Sequence, residues 1–387
     1  MNHRSRMFVN TVVALLLLGG LLLWQSMPAL AWSPVQAITA STVNSIQPTA
    51  VVDSQGTRHV VWSEPVGASG REDIFYSASA DGVWRAPVNI SNSVDERSVT
   101  PQIGVVGAQL IVIWAEIEQF LGIDAFSSLY VAIYDGNMWT ARAEISPDQN
   151  FSVGPPSLAI WNGEVHMVWA ADTTLNLYGD TIMHVAWRPG DSAATLLLNA
   201  APLPVQSGHL DAADIAFDAQ GRMHMVWDGN ISAAPNVHTA YEIFYTVETN
   251  GSWSAPVNIS NTSEYSFLPT LAVDKAGRVH VAWMEGEDQI SGGNYIFNHI
   301  YYQRWDGSKW LVTPEQLSTF DSVAFPSAIT DSDGFVHLLW AESTSADTNL
   351  NFLRMRYSRW DGESLSSPVQ IAPGVAGNGH SSPVIAI

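Results

Sequence analysis

The sequence contains no cysteine. That excludes a disulfide, a thiolate nucleophile and any Cys-ligated zinc, so packing and hydrogen bonds alone must hold the fold. Positive charge is also scarce. Sixteen Lys and Arg face 37 Asp and Glu, for a formal net charge of −21. Such a surface repels phosphate backbones and anionic headgroups, which argues against nucleic acid as a partner. Cations, neutral sugars or basic partners suit it. Charged residues make up only 14% of the chain against 47% hydrophobic, enough apolar material for a large core. Beyond the N-terminus no stretch shows the 3.6-residue apolar period of a long helix.

One long apolar run is present, and it is terminal. Arg4 and Arg6 precede Met7–Trp24, then come Pro28 and the small-x-small sequence Ala29-Leu30-Ala31. This is the layout of a secretory signal peptide over residues 1–31, cleaved after Ala31. An uncleaved anchor is the alternative, since the run is just long enough to span a bilayer. Either reading places residues 32–387 outside the cytoplasm, secreted or at the cell surface. No membrane insertion is expected after cleavage.

Tryptophan is abundant, at 16 residues, and much of it is periodic. Tripeptides ending in Trp62, Trp114, Trp169, Trp227, Trp283 and Trp340 recur at spacings of 52, 55, 58, 56 and 57 residues. A period this regular marks a repeat fold. In each unit a Pro opens a short apolar run, an Asp/Gly turn follows, and a second run ends in the Trp, as in Pro269–Trp283. A third run, such as Ile243–Val247, a second turn, such as Asn250-Gly251, and a fourth run, such as Pro256–Ser260, complete it. Four short strands per unit describe a blade of an all-β propeller.

Six complete units run from about Ile46 to Ala372. Two fragments remain. Trp32–Ile38 matches a fourth strand, and Ser382–Ile387 matches a first strand. The expectation is six complete repeats plus a partial seventh shared by the termini, with direct six-blade closure as the alternative.

Within a blade, the Trp is expected to pack between neighbours. His59, His166, His224, His280 and His337 sit three residues before it, one per blade and so too far apart to share a metal ion; each is expected to bond to a neighbouring blade's backbone. The Asp81-Gly82, Asp135-Gly136, Asn250-Gly251 and Asp306-Gly307 turns, each closely followed by a Trp, are expected to be structural.

These turns resemble a degenerate Asp-box, with Ser79-Ala80-Asp81-Gly82-Val83-Trp84 the nearest match. The whole unit resembles the sialidase-like (BNR-type) propellers of exported bacterial proteins and, more weakly, seven-blade propeller lectins. The sialidase resemblance implies three arginines on a substrate carboxylate, a Tyr-Glu nucleophile pair and an Asp acid/base. The early Arg-Ile-Pro motif of that family is missing: the corresponding places read Ile46-Gln47-Pro48, Val99-Thr100-Pro101 and Phe267-Leu268-Pro269. By strand order only Arg71 and Arg97 reach the end of the propeller that carries the loops between second and third strands, called the top here.

An acid recurs just after each marker Trp: Glu64, Glu116, Asp172, Asp228, Glu285 and Glu342. With Phe120, Phe126, Tyr178, Tyr265 and Tyr295 nearby, this ring would form a top-face site for a calcium ion (Ca2+) or for a neutral sugar between carboxylates and aromatics. Duplication alone would also repeat an acid that merely caps its loop. The function expected is a binding module for carbohydrate or a surface partner. A divergent glycoside hydrolase and a structural domain of a surface assembly are the alternatives.

Overall fold

The computed structural model describes residues 36–387, apart from 68–69, 95, 121–122, 147–150, 153, 173–178, 191–200, 203–209, 211, 231–240, 288–295, 319–321, 344–351 and 377–382. The expected signal peptide, residues 1–31, lies outside the described residues. Six four-stranded antiparallel sheets form a six-blade β-propeller, and the described residues contain no helix. The innermost strands are Ile46–Val52, Arg97–Val106, Ser157–Trp161, Ala213–Phe217, Tyr265–Val273 and Ser322–Thr330. The second strands are Arg58–Val66, Gln109–Phe120, Glu164–Asp172, Met223–Asn230, Val279–Glu287 and Val336–Ser343. Each second strand carries its marker Trp.

Of the two closures weighed from sequence, six blades is the one found. Pro383–Ile387 forms no strand. An inner strand is held by the second strand of its own blade, and these residues have no such partner. Pro383, Val384 and Ile385 instead line the central channel beside the six inner strands.

The second strands are apolar on both faces because both are covered. Val112 and Trp114 pack toward blade 1, on Val61, Ile74 and Tyr76, while Ile111, Ile113 and Ala115 pack toward blade 3, on Met167 and Trp169. The same alternation seats Trp227 against blade 3, Trp283 against blade 4 and Trp340 against blade 5. Each of these rings is at most 1% exposed. Burying one indole of roughly 200 Å² is worth about 5 kcal/mol before entropy is counted. In four blades the ring also stacks on its cross-strand neighbour: Phe75, Tyr130, Phe244 or Tyr301.

The repeated His has partners other than those expected. They are side chains of its own blade, not backbone of the next. Tyr76, Tyr245, Tyr302 and Tyr357 hydroxyls lie 2.7–2.9 Å from Nδ1 of His59, His224, His280 and His337. On the other side Asp53, Asp218, Asp274 and Asp331 approach Nε2 at 2.9–3.5 Å. Each Asp also closes its hairpin turn, as Asp274 Oδ1 accepts from the Ala276 and Arg278 amides. Blade 3 departs from this: His184 replaces the Tyr and stacks on His166.

Candidate functional site

The inner strands surround a central channel of about 760 Å³. Their shape comes from a repeated bulge. Gln47, Thr100, Leu268 and Phe325, each immediately before a Pro, adopt positive φ of 51°, 50°, 50° and 37°, and the ladder slips a register at each. A side chain in that conformation is strained by about 1–2 kcal/mol, so surrounding contacts must hold it. They do so across blades. The Thr100 amide donates to Gln47 Oε1 (2.9 Å), and the Leu268 amide to Asp228 Oδ2 (2.9 Å).

Opposite the residue before each marker Trp, the inner strand carries one polar side chain: Thr49, Gln102, Ser157, Asp214, Thr270 and Ser327. All six line the channel. Part of this ring joins blades. Asp214 accepts from Ser157 Oγ (2.6 Å) of blade 3 and from Thr270 Oγ1 (3.2 Å) and the Leu271 amide (2.9 Å) of blade 5. Burial raises the Asp214 carboxyl above the usual range against these bonds. Thr49 donates to Pro101 O (3.1 Å). No side-chain hydrogen bond joins Gln102 or Ser327 to another described residue, and both line the channel.

The acids after the marker Trp are deeply buried. Glu116, Asp172, Asp228 and Glu342 are 0% exposed and Glu285 1%; only Glu64 is partly exposed. Four of them stand two residues after the Trp and accept its indole N–H: Glu64 (2.9 Å), Glu116 (3.0 Å), Glu285 (2.6 Å) and Glu342 (2.7 Å). A Ser on the inner strand or just before it adds a second bond, from Ser45, Ser98 or Ser266. The other two sit at different offsets. Asp228 accepts from the Ala212 and Leu268 amides, and Asp172 lies opposite Phe151 while Trp169 Nε1 has no partner. Among the described residues no group of three or more acidic or His side chains is arranged to hold a metal ion.

Of the expected aromatics, Tyr178, Tyr295 and the side chains of Phe120 and Phe126 lie outside the described residues. Tyr265 is partly exposed and stacks parallel on Phe267 (6.2 Å, 2°), which in turn packs on Tyr241 (4.4 Å). Sequence reasoning missed Gln102 and Ser327. Their signal was a polar residue directly after the Pro of the inner strand, present in five blades, with Ala213 in place of the Pro in blade 4.

No protein-family model matches the chain, and no curated protein matches it. Solved structures do. An ulvan lyase, titled as a new family of polysaccharide lyase, superposes with a TM-score of 0.60 at 12% identity, covering 88% of each chain. The intramolecular trans-sialidase from Ruminococcus gnavus superposes at 0.50 and 10% identity, over 83% of this chain and 95% of that one. The Trypanosoma rangeli sialidase does so at 0.50 and 10% identity, over 83% of this chain and 55% of that one. The chain has the sialidase-like propeller fold.

In this sialidase-like propeller, Arg142 joins Arg71 at the top, where strand order placed only Arg71 and Arg97. Arg142 follows a bottom turn in sequence, but its side chain reaches Glu116 and Ser93 Oγ (2.8 Å) beside Arg71, which donates to Ser93 O (2.9 Å). Arg97 completes the group and pairs with Glu72 (2.7 Å). Glu72, Glu96 and Glu116 accompany them, and Asp73 accepts from the Ser93 amide (3.3 Å), so acids outnumber the arginines here. The cluster lies between blades 1 and 2, and none of its residues lines the channel. The clamp on a substrate carboxylate that the sialidase resemblance implies is therefore not built at the channel by the described residues.

Proposed function

We propose that this chain is an exported propeller that binds a neutral glycan at the top of its central channel. The observation that carries the reading is the channel itself: apolar prolines and aliphatic side chains, with the Gln102 amide and the Ser327 hydroxyl offered to a ligand. Sugars are recognised by a few fixed polar groups on an apolar, aromatic-edged surface. Tyr265 at the blade 5 rim supplies such an edge. The arginines at the top are spent on carboxylates or backbone, which favours a neutral sugar over an acidic one. The solved neighbours, a polysaccharide lyase and sialidases by title, support a carbohydrate ligand. The basic-apolar-small sequence at residues 1–31 supports export, which N-terminal sequencing of the secreted product would test.

The test of binding is a glycan array with the wild type, Gln102→Ala and Ser327→Ala. Binding to a set of neutral glycans, about tenfold weaker in Gln102→Ala, is expected, as for loss of a hydrogen-bonding side chain worth about 1.4 kcal/mol. No binding to any glycan, or equal binding by all three proteins, overturns the reading. Turnover of a glycoside would replace binding with catalysis.

A further inference from the structure

Four blades carry a Trp-bound glutamate, and blades 2 and 5 also share the residues around it; of these two, only blade 2 supplies its own cation. In blade 2, Glu116 accepts from Trp114 and Ser98, and its other oxygen meets Arg142. The guanidinium lies over the Tyr130 ring (4.9 Å), with Glu96 3.8 Å away and Ser93 Oγ at 2.8 Å. Blade 5 repeats these walls. Ile259-Ser260-Asn261-Thr262 and Glu264-Tyr265-Ser266 repeat Ile90-Ser91-Asn92-Ser93 and Glu96-Arg97-Ser98. Glu285 accepts from Trp283 (2.6 Å) and Ser266 (2.8 Å), and Tyr301 stacks on Trp283 as Tyr130 does on Trp114.

The arginine does not repeat. Tyr130 pairs with Glu144 and Tyr301 with Gln316, so the place of Arg142, two residues earlier, is held by Pro314. Blade 6 solves the same problem with Arg356, 3.4 Å from Glu342, at the strand position that Tyr301 occupies in blade 5. In blade 5 neither position is cationic. Glu285 Oε1 is accordingly buried with no hydrogen-bond partner, in a residue 1% exposed. Glu264 and Tyr301 are partly exposed and form the open side. Thr262 Oγ1 lies 3.4 Å from the Glu264 carbonyl oxygen and 3.5 Å from Ser266 Oγ, which itself donates to Glu285, so these residues border one carboxylate. Burial first, and then the charges of Glu285 and Glu264, raise the Tyr301 hydroxyl pKa, in keeping with that placement.

We propose that the blade 5 pocket bounded by Glu264, Glu285, Thr262 and Tyr301 binds the guanidinium of an arginine side chain presented by a partner protein. Its residues repeat those around Arg142 in blade 2: a buried glutamate bonded to the marker Trp and a Ser, a second glutamate, a hydroxyl and a stacked tyrosine. A planar guanidinium can stack on the tyrosine while bonding two carboxylates, and an ammonium cannot do both equally well. A metal ion is disfavoured, since the described residues bring no three acidic or His ligands together.

The test uses the full chain and N-acetyl-arginine amide as the probe, with N-acetyl-lysine amide and sodium chloride at matched ionic strength as controls. Thermal melts are expected to rise saturably with the arginine probe, with half-saturation about tenfold weaker for the lysine probe. The response is expected to vanish in Glu285→Gln, which removes the charge, and in Pro314→Arg, which supplies the arginine in cis. An arginine response equal in wild type and Glu285→Gln, or absent from the wild type, overturns the proposal. Should Glu285→Gln not fold, an undiminished response in both Pro314→Arg and Glu264→Gln overturns it instead.

Discussion

Glu116 and Glu285 occupy the same position in two blades and should respond to pH with opposite sign. At Glu116, burial raises the carboxyl pKa, but bonds with Glu96, Arg142, Trp114 and Ser93 outweigh it and hold the group below its ordinary 4.5. At Glu285, burial outweighs the nearby Thr262 hydroxyl and the Trp283 and Ser266 bonds, the Glu264 charge adds to it, and the group is pushed up. A depressed carboxyl stabilises the fold above its unfolded pKa and loses that contribution as pH falls. A raised one does the reverse: the folded state holds the proton longer, and stability declines as pH rises past about 4.5. Replacing Glu116 by Gln at pH 7 breaks a buried ion pair, and with Arg142 28% exposed the cost should be about 3 kcal/mol, the low end for such pairs. Replacing Glu285 by Gln removes a buried carboxylate lacking a cation, for a gain of about 1–2 kcal/mol at pH 7. Both differences should shrink toward pH 4. Urea unfolding of the three proteins from pH 4 to 8 reads this as displaced midpoints. Displacements of the same sign at pH 7, or displacements that do not change with pH, would refute the reasoning.

The other perturbations probe the elements that repeat. Tyr302→Phe leaves His280 Nδ1 without a partner in a fully buried place and should cost about 1–3 kcal/mol in urea unfolding. Burial lowers the His280 pKa against the pull of Asp274, so its neutral form is favoured in the fold and stability should fall as pH drops below about 6.5, a slope that His280→Gln should reduce. Asp214→Asn turns two acceptor positions into donors facing the Leu271 amide and the Thr270 hydroxyl, and about 3 kcal/mol should be lost. Trp283→Ala should lower stability by about 3–5 kcal/mol, and a loss under 1 kcal/mol would show that blade packing does not rest on the ring.

The blade architecture was legible because periodicity at 52–58 residues is imposed by the unit that must stack. Trp283 could be read as a contact between blades, since an apolar strand covered on both faces has little other use for so large a ring. Whether the acid two residues after it serves a site or the scaffold could not be read from its recurrence. Site and scaffold both repeat under duplication, and only the indole N–H beside Glu285 separates them. The His partners were hidden for a different reason. Asp274 is six residues before His280 and Tyr302 is 22 after it, so they meet only once the register of three strands is known. Arg142 was placed at the wrong end because a long side chain next to a short fourth strand reaches across Tyr130 toward the top.

In a duplicated fold, what is uniform between copies serves the stacking, and what changes at a fixed register is free to serve a ligand. The Trp-x-Glu pairs of blades 1, 2, 5 and 6 are uniform in the bond from indole to carboxylate, and only the second carboxylate oxygen meets different surroundings from blade to blade. The channel ring is not: the same register holds Thr49, Gln102, Ser157, Asp214, Thr270 and Ser327. Asp214 has been taken for joining blades 3 to 5, which leaves Gln102 and Ser327 as the positions where chemistry can vary without loosening the ring. Gln102→Thr restores the residue found in blades 1 and 5. It should leave the free energy of unfolding in urea within about 0.5 kcal/mol of the wild type, as for a change outside the packed core, while altering which glycans are bound. A large loss of stability with unchanged glycan preference would place Gln102 among the scaffold residues, and the channel would no longer be the candidate site.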